Sequence, residues 1–439
     1  MLKSIKLKNF RSFGNLEADF TMSSGKPKKL IMIYGENGSG KSNFISSIQF
    51  LKNTLDTLSF QEHLNKMLES EELEKYDEET IKSFIKFTRS NLSVEIKENK
   101  MIDSDDNMIL EFHYVYALNK EAIYKLEFDD DKIIYESFHC QLEKNMVKVY
   151  EISNEKPYFN NNLFMTEKYE SEMKEKVFKY FGKHSFLAIV FNEMRLNNLK
   201  YMNQNISKSF LRAIDELFEC SLWCKHSKSD EGFINTNKIL FNLAQGTISK
   251  KEGDKLSKTE EALNSYFTCL YSDIKGIHYD IEEDKNKLKY NLYFDKLING
   301  KIRSIPYNLE STGTIKLLDI FPYIYKCLNK GTVFIDEIDS GVHDLLMNHL
   351  LVNLEKQIKG QLVITTHNTM LLQKIKPDYS YVINVDLNGN KTLNCVKDYG
   401  RIQSNHNVST RYINGIFGGI PQPGHIDLQE IMSSIDNRK

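Results

Sequence analysis

The feature that most constrains the fold of this chain is a glycine-rich stretch after a short apolar run, Ile31-Met32-Ile33. Residues 35–42 read GENGSGKS and fit the pattern G-x-x-x-x-G-K-[ST]. Glycines in this pattern allow a tight turn whose backbone N–H groups face phosphate oxygens, and the next helix begins at the phosphates. Apolar residues then recur at helical spacing from Phe44 to Leu58. The order of strand, loop and helix therefore predicts an ATP-binding P-loop rather than an ordinary glycine-rich turn.

The residues of this loop divide the predicted binding of ATP and Mg²⁺ between them. We expect Lys41 to reach the β- and γ-phosphates and the Ser42 hydroxyl to bind Mg²⁺. The other predicted contacts with the nucleotide come from Gly35, Asn37, Gly38, Ser39, Gly40 and Asn43. ATP and Mg²⁺ are thus the two cofactors that the loop implies.

Length and composition limit the class of protein. A chain of 439 residues can bury a large core and predicts about two to three structural units. A formal net charge of −2 gives no overall positive field. A nucleic-acid partner therefore stays open, but the charge does not support it. Six cysteines without regular spacing favour a reducing compartment. The sequence contains no stretch of about 18 apolar residues, the length that a membrane span needs. We therefore expect a cytoplasmic protein.

Hydrophobic periodicity predicts an α/β fold. The first 20 residues alternate as a hairpin that bends at 9–13, and 107–150 read as an antiparallel meander. Residues 165–270 have helical character, and a second hairpin is predicted to close near Asn299-Gly300. Strand, helix and strand over 332–364 then predict parallel pairing. We divide the chain into an N-terminal lobe with the P-loop (1–160), a helical insertion (161–275) and a C-terminal lobe (276–439).

Acidic residues and a histidine follow two of the predicted strands. Asp336 and Glu337 come directly after the apolar strand 332–335. We predict that Asp336 binds Mg²⁺ opposite Ser42 and that Glu337 orients or deprotonates the attacking water. His367 ends the next strand, where it would contact the γ-phosphate and this water; the alternative is a capping histidine.

A second anion-binding element is predicted where Ser311-Thr312-Gly313-Thr314 opens a helix. Because one subunit already has a phosphate-binding loop, this second one makes sense if it closes over ATP held by another subunit. The alternative is an ordinary helix N-cap at Ser311.

The order of GENGSGKS, ESTGT, FIDEID and TTH, after an opening NFRSF, resembles the ABC-class ATPases of the chromosome-maintenance and RecF type. Within that group the chain looks like the ATPases of bacterial abortive-infection and phage-defence operons, kin of the overcoming-lysogenization-defect proteins. The similarity covers residues 1–60 and about 275–370, and the ending STRYINGIFGGIPQPG also resembles such ATPases. The fold implied is an ABC-ATPase head, a P-loop parallel sheet plus an antiparallel β-subdomain, with an inserted helical subdomain.

The resemblance implies a homodimer, or a higher homo-oligomer, whose heads sandwich ATP. Ser311 and Gly313 would then contact the nucleotide from the second subunit. Asp336 would be the Mg²⁺ ligand, Glu337 the catalytic base and His367 the switch histidine. The signature ESTGT differs from the LSGGQ of transporters, and His343 stands where transporters carry aspartate. No Q-loop glutamine is assigned, although Gln141 is a candidate.

The leading functional hypothesis is an ATPase that senses and regulates a separately encoded effector, a nuclease or toxin, in anti-phage defence. The residues after His367 lack the E…DxD constellation of a fused metal-dependent nuclease. The alternative is a RecF-like or chromosome-maintenance-like DNA-repair ATPase that clamps DNA in an ATP-dependent dimer. A third interpretation is a scaffold that binds ATP with little turnover. A zinc site at Cys220, Cys224 and His226 is not predicted, since the spacing differs from C-x2-C.

Overall fold

The computed structural model of the chain describes the following residues: 1–69, 91–141, 145–153, 156–225, 230–234, 238–400, 407–421 and 424–436. Within these ranges the strands form three sheets. In chain order the strands are β1 (Leu2–Phe10), β2 (Phe13–Asp19), β3 (Leu30–Tyr34), β4 (Met108–Tyr116), β5 (Lys120–Phe128), β6 (Ile133–Gln141), β7 (Met146–Ser153), β8 (Lys156–Phe159), β9 (Ser221–Lys225), β10 (Asp230–Phe233), β11 (Gln245–Ser249), β12 (Ile274–Asp284), β13 (Lys287–Ile298), β14 (Lys301–Pro306), β15 (Thr332–Ile335), β16 (Gln361–Thr365), β17 (Ser380–Val385) and β18 (Lys391–Cys395).

Helices cover the sheets and connect their strands. In chain order they are α1 (Lys41–Glu69), α2 (Leu92–Asn99), α3 (Glu167–Tyr180), α4 (Phe186–Leu196), α5 (Leu199–Asn205), α6 (Lys208–Phe218), α7 (Gly253–Leu270), α8 (Thr312–Leu328), α9 (Asp344–Glu355), α10 (Leu371–Lys374), α11 (Val408–Ile413) and α12 (Leu428–Asp436). None of the helices in the described ranges is both long enough and apolar enough to cross a membrane.

The central sheet has the order β10-β9-β15-β16-β3-β17-β18. Within this order, neighbours among the five inner strands β9, β15, β16, β3 and β17 pair in parallel. The two edge strands, β10 and β18, pair antiparallel with their neighbours. Strands β3, β15 and β16 are buried along their whole length, as expected of strands that are covered on both faces. Because parallel strands end at the same edge, the loops that follow these three strands lie side by side. The predicted α/β class with a parallel sheet is confirmed.

A second sheet is antiparallel, with the order β2-β1-β4-β5-β6-β7-β8. It confirms the predicted N-terminal hairpin and the meander. Its buried face carries a row of aromatic side chains on neighbouring strands. Phe112 pairs with Tyr124, which pairs with Phe138, which in turn pairs with Tyr150. Such cross-strand aromatic pairs stabilise a sheet beyond the area that they bury.

A buried amide, Gln361, joins the two sheets. Its Oε1 accepts a hydrogen bond from the Leu2 N–H at 2.6 Å, and its Nε2 donates to the Leu2 carbonyl at 2.8 Å. Nε2 also donates to the Lys28 carbonyl at 2.8 Å. Gln361 is the first residue of β16, and its side-chain amide bonds to the backbone of β1 as a peptide group would. It thereby satisfies backbone groups that would otherwise be buried without partners.

The structure corrects the predicted position of one hairpin turn. Strands β12 and β13 are joined at Lys285-Asn286, whereas Asn299-Gly300 joins β13 to β14. Both turns contain residues with positive φ, 44° at Lys285 and 50° at Asn299. The first turn was missed because the charged run around it, EEDKNK, has no glycine or proline to mark it.

The segment predicted to be helical also contains strands. Its helices α3 to α7 are present, but β9, β10 and β11 lie between them. Strand β9 pairs in parallel with β15 and so belongs to the central sheet. A run as short as SLWCK has no period that separates a buried strand from a helix, and its partner lies about 110 residues further along the chain. The division of the chain at residues 160 and 275 stays a prediction.

A buried carboxylate, Glu136, connects the antiparallel sheet to α4. Its Oε1 accepts hydrogen bonds from the Tyr124 and Tyr150 hydroxyls at 3.0 and 2.8 Å. Its Oε2 accepts from the Phe186 N–H at 2.6 Å, in the first turn of the helix. Burial nevertheless raises the pKa of Glu136 to about 7, because loss of hydration outweighs these hydrogen bonds.

This raised pKa predicts a specific dependence of stability on pH. The folded state binds the Glu136 proton more tightly than the unfolded state, so the stabilisation is complete below pH 4.5 and is lost as the pH rises through about 7. The loss amounts to about 3 kcal/mol in the free energy of unfolding. The Glu136→Gln variant has no such titration, so the wild-type protein should lose about this much relative to the variant.

Urea unfolding of both proteins at several pH values between about 4 and 8 measures this difference. Glu261→Gln, at an exposed position of α7, is the matched control and should follow the wild type. A difference between wild type and Glu136→Gln that stays constant over this range would contradict the assignment.

Candidate nucleotide-binding site

The P-loop runs from the end of β3 to the first turn of α1. Gly35 and Gly40 have positive φ angles of 154° and 112°. A Cβ atom at Gly35 would lie 2.6 Å from the Ser39 Oγ, and one at Gly40 would lie 3.0 Å from the Phe13 ring. Glycine is therefore required at both positions. The resulting turn presents backbone N–H groups at the start of a helix, where an anion is favoured.

The tip of the loop is accessible to a ligand. Asn37, Gly38 and Ser42 are exposed, whereas the side chain of Ser39 is buried. Among the described residues, none provides a hydrogen-bond partner for the Ser39 Oγ. Since a buried hydroxyl without a partner is costly, this loop fits a ligand that brings oxygen acceptors, as a phosphate chain does.

Lys41 is the first residue of α1 and is only 7% exposed. Its Nζ donates hydrogen bonds to the carbonyls of Gly35 at 2.8 Å and Glu36 at 3.0 Å. Burial lowers the pKa of Lys41, and nearby carboxylates, led by Asp336 and Glu337, oppose this shift. The P-loop lysine thus lies within electrostatic range of two acidic residues that are about 300 positions away in the sequence.

The bend between β1 and β2 lies against the P-loop and its helix. Arg11 Nη1 donates to the Ser46 Oγ at 2.8 Å, and Asn43 Nδ2 donates to the Ser12 Oγ at 2.7 Å. The ring of Phe13 lies beside Gly40. Periodicity predicted only a hairpin bend here, so these contacts were missed. The predicted contact of Asn43 with nucleotide stays a prediction.

Asp336 and Glu337 are fixed by one hydroxyl at the end of β16. Thr365 donates to the Asp336 Oδ1 at 2.6 Å, and its oxygen accepts from the Glu337 N–H at 2.7 Å. Asp336 is 3% exposed, and Glu337 has a φ of 44°, which costs about 1 kcal/mol for a residue of this type. Thr365 could not be identified from the sequence, because threonine is common in strands and the pattern of residues around it indicates no partner.

His367 lies at the same edge of the sheet and is partly exposed. Its N–H donates to the Asp339 Oδ2 at 3.1 Å, and the Thr366 hydroxyl donates to the same oxygen at 2.9 Å. Partial burial, followed by the positive charge of Lys41, lowers the pKa of His367. The neutral imidazole is therefore favoured at neutral pH. The predicted residues Lys41, Asp336 and His367 thus meet at one edge.

Ser311 and Gly313 have contacts within their own subunit. Ser311 is the N-cap of α8, and its Oγ accepts from the Thr314 N–H at 3.2 Å. The cap considered as an alternative is therefore present. Gly313 is buried, and a Cβ atom there would lie 2.6 Å from the Gly341 carbonyl oxygen. The predicted contact of Ser311 and Gly313 with a nucleotide on a second subunit stays a prediction.

Two contacts with the P-loop region come from residues after His367 that the sequence analysis gave no role at the site. Lys391, the first residue of β18, donates from Nζ to the Gly38 carbonyl at 3.0 Å. The ring of Tyr412 lies 5.7 Å from that of Tyr34, between ring centres. The signal in the sequence for a contact from this part of the chain is the pair of glycines in FGGIP, because paired glycines indicate a tight turn or a close backbone contact.

The other candidates lie elsewhere. Gln141 ends β6, where its Oε1 accepts from the Glu121 N–H at 3.0 Å, at the end of the antiparallel sheet that lies away from the 9–13 bend. Cys220 donates from Sγ to the Glu216 carbonyl, and His226 lies outside the described residues. Within the described ranges no three His, Cys, Asp or Glu side chains are grouped to hold a metal ion. Asp336 alone is compatible with Mg²⁺, which is usually held by one or two carboxylates plus substrate phosphates.

A family model described as "AAA domain, putative AbiEii toxin, Type IV TA system" matches residues 30–373, which include the P-loop, Asp336 and His367. The chain belongs to this family. It is therefore a P-loop ATPase, and the resemblance to abortive-infection ATPases that the motifs predicted is confirmed.

Relatives and solved structures give further similarities. A Helicobacter pylori protein named "ATP/GTP phosphatase" is 21% identical over 380 residues, which cover 85% of this chain and 87% of the relative. The SMC head domain from Thermotoga maritima is 14% identical with a TM-score of 0.40, over 90% of this chain and 99% of that one. An SMC head bound to the C-winged helix domain of ScpA is 13% identical with a TM-score of 0.46, over 90% and 97% of the two chains.

The hydrogen bonds of Thr365 predict a catalytic defect in the Thr365→Val variant. Valine keeps the volume but removes both bonds, each of which contributes about 1 kcal/mol. Asp336 and Glu337 are then less well fixed, so kcat for ATP hydrolysis should fall by about ten- to a hundredfold while KM changes little. Steady-state phosphate release measures both constants.

Thr332→Val is the matched control. The Thr332 hydroxyl also donates a hydrogen bond to a carboxylate, that of Glu216, at 3.3 Å. Thr332 is the first residue of β15, whereas Asp336 follows the last residue of this strand. The kcat of this control variant should stay close to that of the wild type. A wild-type kcat in Thr365→Val would refute the positioning role of this hydroxyl.

Proposed function

We propose that the chain binds ATP with Mg²⁺ at the P-loop and hydrolyses it with a water molecule activated by Glu337. The observation that carries this proposal is the parallel edge where Lys41 lies within electrostatic range of Asp336 and Glu337. The name of the Helicobacter pylori relative, "ATP/GTP phosphatase", supports nucleotide hydrolysis.

Binding begins at the loop. The backbone N–H groups of residues 38–42 take the phosphate oxygens, and Lys41 exchanges its two carbonyl partners for the β- and γ-phosphates. Ser42 and Asp336 would hold Mg²⁺, which neutralises charge on the phosphates when it is bound. Asn37, Ser39 and Asn43 lie on the loop or its helix, where they can contact the same chain of phosphates.

Hydrolysis then needs a positioned water. Glu337 accepts a proton as the water oxygen forms its bond to the γ-phosphorus, while the bond to the β,γ-bridging oxygen breaks. ADP and inorganic phosphate are the products. His367 is placed to donate a hydrogen bond to the γ-phosphate or to this water, and its lowered pKa keeps it neutral.

We propose further that two heads close over the nucleotide. Ser311 and Thr312 are exposed at the start of α8, and the apolar side chains of Leu309 and Leu345 are 71% and 59% exposed near it. Exposed apolar side chains of this kind favour burial in an interface. The start of α8 also contacts Gly341, whose loop reaches the nucleotide edge, so closure can affect hydrolysis.

The biological role that we propose is regulation of a separately encoded effector, a nuclease or toxin, in anti-phage defence. The family description, which names the AbiEii toxin and a type IV toxin–antitoxin system, supports this role. Slow hydrolysis in the closed dimer would set how long the effector is held in one state.

Glu337→Gln should separate binding from hydrolysis. Loss of the general base should lower kcat by about a hundredfold or more, while ATP still binds and holds the heads together as a dimer. Phosphate release and light scattering with ATP measure the two effects. Lys41→Ala should not bind ATP and should stay monomeric, and exposed Glu261→Gln should behave as wild type. Normal turnover by Glu337→Gln would refute its role.

The role of the effector is tested by affinity purification of Glu337→Gln with its neighbouring gene products and ATP. A nuclease or toxin should co-purify in a fixed ratio and should be absent with Lys41→Ala. A dimer that instead carries DNA, with affinity that falls steeply with salt, would replace regulation by a DNA clamp. A dimer without any partner would also contradict the proposal.

A further inference from the structure

Residues 407–421, which we call the strap, lie on the start of the P-loop. Gly419 has a φ of 65°, and a Cβ atom there would lie 2.3 Å from the Val382 Cγ1 and 3.4 Å from the Gly35 Cα. The backbone of the strap therefore touches the first glycine of the P-loop, and only glycine permits this approach. The strap lies outside residues 30–373, which match the family model.

Tyr412 holds the strap next to the P-loop. Its hydroxyl donates a hydrogen bond to the carbonyl of Gly419 at 2.9 Å, and Gly419 lies beside Gly35. The side chain is 7% exposed, and its ring packs on that of Tyr34, the residue before the loop. Tyr412 thus packs on the residue before the P-loop and holds Gly419 next to Gly35.

A second contact holds the tip of the loop from the same part of the chain. The Lys391 Nζ donates to the Gly38 carbonyl at 3.0 Å. The Gly38 carbonyl and the Gly35 Cα both belong to the backbone of the loop, so both contacts restrict the backbone rather than a side chain. The Lys41 side chain closes the loop from within, on the Gly35 and Glu36 carbonyls.

These contacts affect the entropic cost of phosphate binding. A free loop of this kind loses backbone freedom when its N–H groups converge on a ligand, and that loss reduces affinity. Here Gly35 already lies against Gly419, which Tyr412 holds by a hydrogen bond, and the Gly38 carbonyl is already bonded to Lys391. A loop that is ordered before the ligand arrives binds more tightly.

We propose that the strap positions the P-loop for phosphate binding and that Tyr412 is its positioning residue. The inference rests on the proposed binding of ATP at the P-loop. The competing explanation is that the strap only completes the core, since Val408 and Phe417 are 5% and 0% exposed. The two explanations differ in whether nucleotide affinity depends on the Tyr412 hydroxyl.

Tyr412→Phe tests this directly, because it keeps the ring and removes the hydrogen bond from the hydroxyl to the Gly419 carbonyl. The dissociation constant for ATP, measured by calorimetry in the full chain, should rise about tenfold, while kcat at saturating ATP should stay within about twofold of wild type. The thermal midpoint without nucleotide should change little. Tyr158→Phe, at a tyrosine that is 48% exposed on β8, is the matched control and should bind as wild type.

Gly419→Ala tests the close contact. Its Cβ would collide with the Val382 Cγ1, so the strap would have to move away from its place beside Gly35. ATP affinity should therefore fall at least as much as in Tyr412→Phe. Gly424→Ala, where a Cβ meets nothing within 4 Å, is its control. Wild-type affinity in Tyr412→Phe overturns the proposal. A lower thermal midpoint without nucleotide, together with an unchanged dissociation constant, also overturns it.

Failure of this inference is distinguishable from failure of the proposed function. If the wild-type chain does not bind ATP, the proposed function itself is refuted. If the wild type and Tyr412→Phe bind ATP equally well, ATP binding stands and the positioning role of the strap is refuted.

Discussion

The parallel pairing of β3 with β16, and of β16 with β15, is the constraint on which the site depends. Strand β3 ends in the P-loop, while the other two strands lie about 300 residues later in the chain. Closing so large a loop carries an entropic cost, which burial of three strands along their whole length offsets. Gln361 adds specificity to this pairing, since its amide also joins β1 to β16. Without this long-range register, Lys41 and Asp336 would not meet.

The parts of the site that could be predicted are those whose chemistry is written in a short stretch. Eight consecutive residues define the P-loop, and Asp336 and Glu337 directly follow an apolar run. Partners that lie far apart in the sequence could not be predicted. The Thr365 hydroxyl and the strand at β9 acquire their roles only from neighbours in space. The α/β class followed from periodicity, but the hairpin turn at Lys285 did not, because the charged run around it has no glycine or proline to mark a turn.

The loop from Asp339 to His343 links two regions of the molecule. Its first residue accepts hydrogen bonds from the Thr366 hydroxyl and the His367 N–H, and its Gly341 carbonyl lies against Gly313. A contact made at the start of α8 is thus connected to His367 through the short loop between Gly341 and Asp339. His343 then caps α9 through its Nδ1. This short segment would give the proposed closure of two heads a physical route to the reacting groups.

The conformation of Lys41 also has a consequence for selectivity. Its ammonium group donates to two carbonyls of its own loop, so a ligand that takes over these two donors must displace the two bonds. A nucleotide with β- and γ-phosphates offers charged oxygens in exchange, and a charge-assisted bond is the stronger one. A nucleoside monophosphate offers nothing at that distance, so the lysine keeps its internal partners. In the proposed binding mode, this exchange would favour nucleoside di- and triphosphates over monophosphates.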